Sequence, residues 1–149
     1  MNATKIIIIT VIAMVVAGVG LGAYYYYTQM PQPVDEMSLR VYADPMAENL
    51  LQSINEANRT SFFRDLDTAM KAAMTEEYFS GMCNNLQQKV GNYTSKTFVR
   101  GEAFQGFISA YYSANFTGEP AGVTVKVVFS SSGGEAKVSG IWFNSPKLR

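Results

Sequence analysis

Residues 104–143 read FQGFISAYYSANFTGEPAGVTVKVVFSSSGGEAKVSGIWF, and their apolar positions recur every second residue. Over Phe104 to Phe116, Ile108, Ala110, Tyr112, Ala114 and Phe116 share one face of a strand, while Ser109, Tyr111, Ser113 and Asn115 share the other. Gly118, Pro120 and Gly122 mark a turn over Thr117 to Gly122, after which Val123, Val125, Val127 and Phe129 alternate with Thr124, Lys126 and Ser130. Ser132-Gly133-Gly134-Glu135 is a tight-turn signal leading into a last strand, Ala136 to Phe143, with Val138 and Trp142 on one face. Upstream, Tyr93 to Arg100 is rich in Thr, Phe and Val and reads as a first strand. About four strands joined by short turns predict an antiparallel meander.

Before Tyr93 the period changes to that of a helix. Thr75 is placed to cap a helix with Glu76 and Glu77 in its first turn, where the helix dipole favours negative charge, and with Phe79, Met82, Cys83, Leu86 and Val90 on one stripe. Gly91 supplies the left-handed residue that ends it. A preceding helix from Thr60 or Ser61 puts Phe63, Leu66, Met70, Ala73 and Met74 at helical spacing. Asp44-Pro45 is a helix start, followed by Ala47, Leu50, Leu51 and Ile54. Three helices followed by strands in a separate block predict an α+β domain over residues 44–149.

The chain upstream is of another kind. Ile6 to Tyr27 carries no charge and is apolar or aromatic apart from Thr10, and its 22 residues would span roughly 33 Å as a helix, enough to cross a hydrocarbon core of about 30 Å. Tyr24 to Tyr27 resemble an interfacial aromatic belt. Lys5 precedes the run and Asp35 and Glu36 are the first charges after it, so the positive-inside bias sets residues 1–5 in the cytoplasm and everything after Tyr27 outside. The expected organisation is therefore a cytoplasmic start (1–5), a transmembrane anchor (6–27), an extended linker with Pro31 and Pro33 (28–43) and an extracytoplasmic domain (44–149). The alternative is a cleaved signal peptide, for which the small residues Ala17, Gly18, Gly20, Gly22 and Ala23 supply material, although the apolar run exceeds an ordinary signal core of about 7 to 15 residues. Gly18 and Gly22 also have the spacing of a close helix pair.

Composition removes whole classes of chemistry. The 149 residues contain no His and one Cys, so a Ser-His-Asp or Cys-His nucleophile, a His-ligated metal and an intrachain disulfide are all excluded. Twelve basic residues balance twelve acidic ones, with no basic excess for a phosphate backbone, and nucleic acid is not an expected partner. No cofactor or metal is expected. Cys83 falls on an apolar stripe and reads as a small buried hydrophobe, Asp65 and Asp67 point to different faces of a helix, and the eight Met residues read as core filler. Tyr111, Tyr112 and Trp142, apolar bodies with a polar handle, are the candidates for lining a ligand pocket. Four of nine Asn residues, Asn2, Asn58, Asn92 and Asn115, begin an N-x-[ST] triplet, where chance alone gives about one. The last three fall in the external part and are candidate glycosylation sites.

Helices followed by an antiparallel sheet resemble the nuclear transport factor 2-like, or cystatin-like, architecture. The stretch from Ala47 to Ser95, with Asn55 before a break, Phe62-Phe63, Met70-Lys71, Phe79, Leu86 and Gly91, resembles an uncharacterised family within it, domain of unknown function 3887. The resemblance covers roughly Asp44 to Phe143 and implies a curved sheet whose concave side forms a cone with the helices. Members of the wider superfamily use that cone as an interface element, a small-molecule pocket or an active site built on Asp and His or on Tyr and Asp. Without His, the expectation is a non-enzymatic, membrane-anchored domain that binds a protein partner, a second copy of itself or a small ligand; the alternative is a small-molecule enzyme or binding protein using Tyr and carboxylates in the cone. Strand alternation places Phe107, Tyr111, Val128, Ile141 and Phe143 on the sheet face away from the helices, a patch expected to pair in a homodimer.

Overall fold

The computed structural model describes residues 17–149. Its contacts divide the chain into two units, Met1–Gln32 and Pro33–Arg149. In the first, residues 17–28 are helical (α1) and expose their side chains, Tyr24 to Tyr27 included. Among the described residues no helix is long and apolar enough to cross a membrane. The expected span over 6–27 has its first part, 6–16, outside the described residues, as do the expected cytoplasmic start 1–5 and Asn2.

The second unit is α+β. Its helices are α2 (Glu36–Asn55), α3 (Arg59–Phe63), α4 (Thr68–Ala73) and α5 (Glu76–Lys89), and its sheet has β1 (Tyr93–Phe104), β2 (Phe107–Phe116), β3 (Glu119–Ser132) and β4 (Glu135–Asn144). The strands are antiparallel in the order β1-β2-β3-β4, and a 3-10 turn, Pro146–Leu148, ends the chain. One face of the sheet, with Ala110, Tyr112, Ala114, Phe116, Val123, Val125, Val127 and Phe129, shares a single core with the buried stripes of the helices.

α5 follows its sequence signals. Thr75 accepts a hydrogen bond from the Tyr78 amide, Phe79, Cys83 and Leu86 are buried, and Gly91 takes φ +84°. α2 does not. It starts at Glu36, with Asp35 as the cap accepting from the Met37 amide, so that residues 36–43, expected to be linker, are helical and Pro45 lies inside the helix. An interior proline costs about 3 kcal/mol. Burial offsets it, since Leu39 and Ala43 extend the stripe of Ala47, Leu50, Leu51 and Ile54, and Leu39 packs where Gly101 of β1 carries no Cβ. The single helix expected from Thr60 to Met74 is instead two, α3 and α4, each with its own cap, Asn58 and Asp67. Between them Leu66 bridges to Val138, through Val138 N–H to Asp65 C=O (2.8 Å) and Asp67 N–H to Val138 C=O (2.9 Å). This bridge satisfies backbone groups that a continuous helix would have paired internally. As a result Phe62, Leu66 and Met74 are buried, whereas Ala73 is exposed.

The expected strand from Phe104 to Phe116 is interrupted at Gln105-Gly106, whose φ values of +49° and +83° close the β1–β2 hairpin. A second correction concerns β4. Phe129 pairs with Val138 and Val128 with Gly140, leaving Ser139 as an extra residue that reverses the alternation beyond it. Val138 is therefore buried while Trp142 is 56% exposed, so the two do not share a face. Ile141 and Phe143, paired with Val127 and Val125, lie on the helix side and pack against the core, not in the outer patch.

Candidate functional site

Tyr111 and Tyr112 are neighbours on β2 and point to opposite faces. Tyr112 is 1% exposed and donates its hydroxyl to Asp44 Oδ1 at 3.0 Å; Arg40 Nε holds the other carboxylate oxygen at 3.0 Å. One turn further along α2, Glu48 accepts from Tyr93 Oη at 2.7 Å and pairs with Lys96 Nζ at 3.2 Å. Arg40, Asp44 and Glu48 recur every four residues and so line the side of α2 that meets β1. Burial, reinforced by the adjoining carboxylate, pushes both the Tyr112 and the Tyr93 phenols well above their ordinary values. Each phenol thus keeps its proton and donates a hydrogen bond to a carboxylate, which suits a seam joining helix to sheet.

The outer face is organised differently. Register places Arg100, Tyr111, Lys126 and Trp142 side by side across all four strands. The Arg100 guanidinium lies 3.8 Å from the Tyr111 ring, and Lys126 Nζ lies 5.3 Å from that ring and 6.0 Å from the indole of Trp142. Beside the row, Glu102 accepts from Tyr111 Oη at 2.6 Å and from Arg100. Burial tends to raise the Glu102 pKa, but the Tyr111 and Arg100 hydrogen bonds and the nearby cations outweigh it and hold the group below its usual value. Trp142 rests over Gly140, where a Cβ would stand 2.3 Å from the indole Cη2. The row presents a flat aromatic and cationic surface to solvent.

Among the described residues, grooves open beside the sheet, two of which bear on the candidate residues. One, of about 350 Å³, runs beside β4 between Met70, Met74, Tyr78, Met82, Ile141 and Trp142. The other, of about 340 Å³, opens between Tyr42, Ile108, Phe129 and the hairpin glycines Gly106 and Gly134. The Tyr42 ring meets Phe129 edge-on at 5.2 Å, and burial raises its phenol pKa.

Of the three aromatic candidates, Tyr111 and Trp142 thus belong to one surface and Tyr112 to the opposite one. Asn58, Asn92 and Asn115 are all exposed. Cys83 is buried at 2%, and burial raises its thiol pKa. Among the described residues no group of three or more Cys, Asp or Glu is arranged to hold a metal ion. Sequence reasoning missed Arg40, Tyr42, Arg100, Glu102 and Lys126. Lys126 and Tyr111 could have been paired by alternation on neighbouring strands, but Arg100 requires the bulge between Phe98 and Arg100 that shifts β1 by one residue.

Comparison with known proteins gives one match. The family described as protein of unknown function, DUF3887, matches residues 47–140. The chain belongs to the DUF3887 family. The match runs from the middle of α2 to Gly140, so it takes in Asp67, Tyr111 and Tyr112 and ends two residues before Trp142. No curated protein and no solved structure matches this DUF3887 chain.

Proposed function

We propose that this protein is a single-pass membrane-anchored domain, held outside the cytoplasm, whose role is binding and assembly rather than catalysis, and that it pairs with a second copy through the outer face of its sheet. The observation that carries this reading is where its large aromatic groups lie. Phe62, Phe79, Phe129 and Tyr112 fill the space between helices and sheet, each 2% exposed or less, while Trp142 at 56% and Phe107 at 46% stand outside it. An indole left in water beside a groove lined by methionines is surface that association removes from solvent. The apolar run from Ile6, the preceding Lys5 and the tyrosines at its end support the anchor, and an anchor raises the local concentration of the domain in the membrane plane. The α+β architecture is compatible with the nuclear transport factor 2-like resemblance, in which sheet-to-sheet pairing is common.

A crosslinking experiment in membranes tests the pairing. On a Cys83→Ser background, Thr124→Cys on the outer face is expected to form a disulfide-linked dimer under mild oxidation, whereas Gln88→Cys on α5 stays monomeric. Equal crosslinking at both positions, or none at Thr124, contradicts the reading. A second reading, a small apolar ligand in the groove at Tyr42 and Phe129, is favoured by the burial of that phenol against a groove of about 340 Å³. Ala136→Trp would fill the groove and abolish retention of any such ligand while leaving the crosslink intact.

A further inference from the structure

The three external N-x-[ST] triplets are not equivalent in the folded domain. Asn92-Tyr93-Thr94 and Asn115-Phe116-Thr117 lie opposite each other at the β2–β3 turn end of β1 and β2, with Tyr93 paired to Phe116 and the two rings in contact at 5.9 Å. Their polar groups are laced together. Asn92 N–H donates to Thr117 Oγ1 at 3.0 Å, Thr117 N–H to Asn92 C=O at 2.9 Å, and Thr94 Oγ1 to Asn115 C=O at 3.1 Å. Asn115 Nδ2, the atom that would accept a sugar, donates to Ser95 Oγ at 3.0 Å. Each of these two triplets therefore has its hydroxyl engaged in holding the other.

Asn58-Arg59-Thr60 stands apart, at the start of α3: Asn58 is the cap and Arg59 and Thr60 are the first two helical residues, just after the turn at which Ala57 takes φ +49°. Both Asn58 and Thr60 are exposed. The Asn58 side chain caps α3 through Oδ1, which accepts from the Ser61 amide at 3.1 Å, and this directs Nδ2 away from the helix. Cap and acceptor atom are different atoms of one amide, so a sugar on Nδ2 leaves the cap in place.

We propose that Asn58 is an N-glycosylation site of this protein and that Asn92 and Asn115 remain unmodified in the folded domain. The inference rests on the extracytoplasmic placement proposed above. The donor class is an oligosaccharide linked through phosphate to a lipid. Asn58 Nδ2 forms a bond to the sugar C1, the bond between C1 and the phosphate oxygen breaks, the lipid phosphate leaves with the electron pair, and Nδ2 gives up one proton.

The test is intact-mass and peptide mass spectrometry of the full chain purified from membranes of the organism that makes it, alongside protease treatment of intact cells. The expected result is a single glycan on the peptide carrying Asn58. Thr60→Ala should lose the whole mass increment while keeping the Oδ1 cap; Asn58→Gln should lose it too. Asn92→Gln combined with Asn115→Gln should leave it unchanged. A glycan on Asn92 or Asn115, or a bare Asn58 on a domain that external protease removes, overturns the inference while the placement stands. A bare domain protected from external protease overturns the placement itself and the inference with it.

Discussion

Leu39→Ala is the substitution that weighs most on the architecture. If α2 began after Asp44, Leu39 would sit in a spacer and its truncation would change stability by no more than about 0.5 kcal/mol. In the structure Leu39 is 3% exposed and continues the buried stripe of α2. Its Cδ2 lies 2.4 Å from where a Cβ on Gly101 would stand, so it fills space that no neighbouring side chain can take over. A buried Leu→Ala change costs about 2 to 5 kcal/mol, the spread reflecting how far the site collapses. With the Gly101 backbone fixed in β1, collapse is restricted, and about 3 kcal/mol is expected. For a folded unit of this size that corresponds to a fall of about 12 °C in Tm. Urea and thermal unfolding followed by circular dichroism would measure it on the unit Pro33–Arg149, with Val41→Ala as the control. Val41 is on the same helix but 76% exposed, and its truncation should be almost silent. Equal effects of the two substitutions, or a loss under 1 kcal/mol at Leu39, would refute the placement of the first turns of α2 against the sheet.

Gly91→Ala should cost about 2 kcal/mol or more, because φ is +84° there and the new Cβ would stand 2.2 Å from Thr117 Oγ1 and 2.8 Å from the Gly118 amide; urea unfolding checks it. Asp67 accepts from the Met70 amide and from the hydroxyls of Ser130 and Ser139, and although burial pushes its pKa up, these bonds outweigh it and hold the carboxyl below its ordinary value. A depressed folded pKa contributes stability that is present above the unfolded value of about 3.9 and lost as pH falls through the folded one. Stability of the native chain should therefore drop on acidification below about pH 4, and Asp67→Asn should make that limb shallower in a series of urea melts; an unchanged acid limb would show that the Asp67 hydrogen bonds carry no linkage. Cys83→Ser should cost about 1 kcal/mol by placing a hydroxyl in the core, and it should leave dimer formation intact in sedimentation.

How much of this was legible in the sequence depended on how local the deciding forces are. α5 has its cap, its stripe and its terminal glycine within 17 residues, Thr75 to Gly91, and all three signals act locally. The same holds for Ser132-Gly133-Gly134-Glu135, where Ser132 pairs with Glu135. The start of α2 was misread because Asp44-Pro45 is a local signal, whereas what extends the helix upstream is the distant Gly101. The split between α3 and α4 is likewise settled by a backbone bridge from Leu66 to Val138, far away in sequence. At Gln105-Gly106 a glutamine adopts the left-handed conformation usually left to Asn, Asp or Gly, so the hairpin gave little warning.

Ser139 decides which side chains of β4 face outward. One unpaired residue moved Trp142 to the outer face and turned Ile141 and Phe143 inward, and alternation by itself cannot show a bulge. The same bulge completes the row of Arg100, Tyr111, Lys126 and Trp142, a constellation that exists only once register is known. Tyr112, by contrast, stands on the face that alternation assigns to it, and its partner Asp44 lies inside α2 and not at its start.

Analytical ultracentrifugation of the unit Pro33–Arg149, with and without Trp142→Glu, tests the central claim most directly. The account predicts a dimer at tens of micromolar for the native sequence and a monomer with unchanged circular dichroism for the variant, since the indole surface that the pair would bury is lost and the new carboxylate, beside Lys126 in the free domain, would have to leave water on pairing. A native unit that stays monomeric at high micromolar concentration, or a dimer that Trp142→Glu leaves intact, would contradict it.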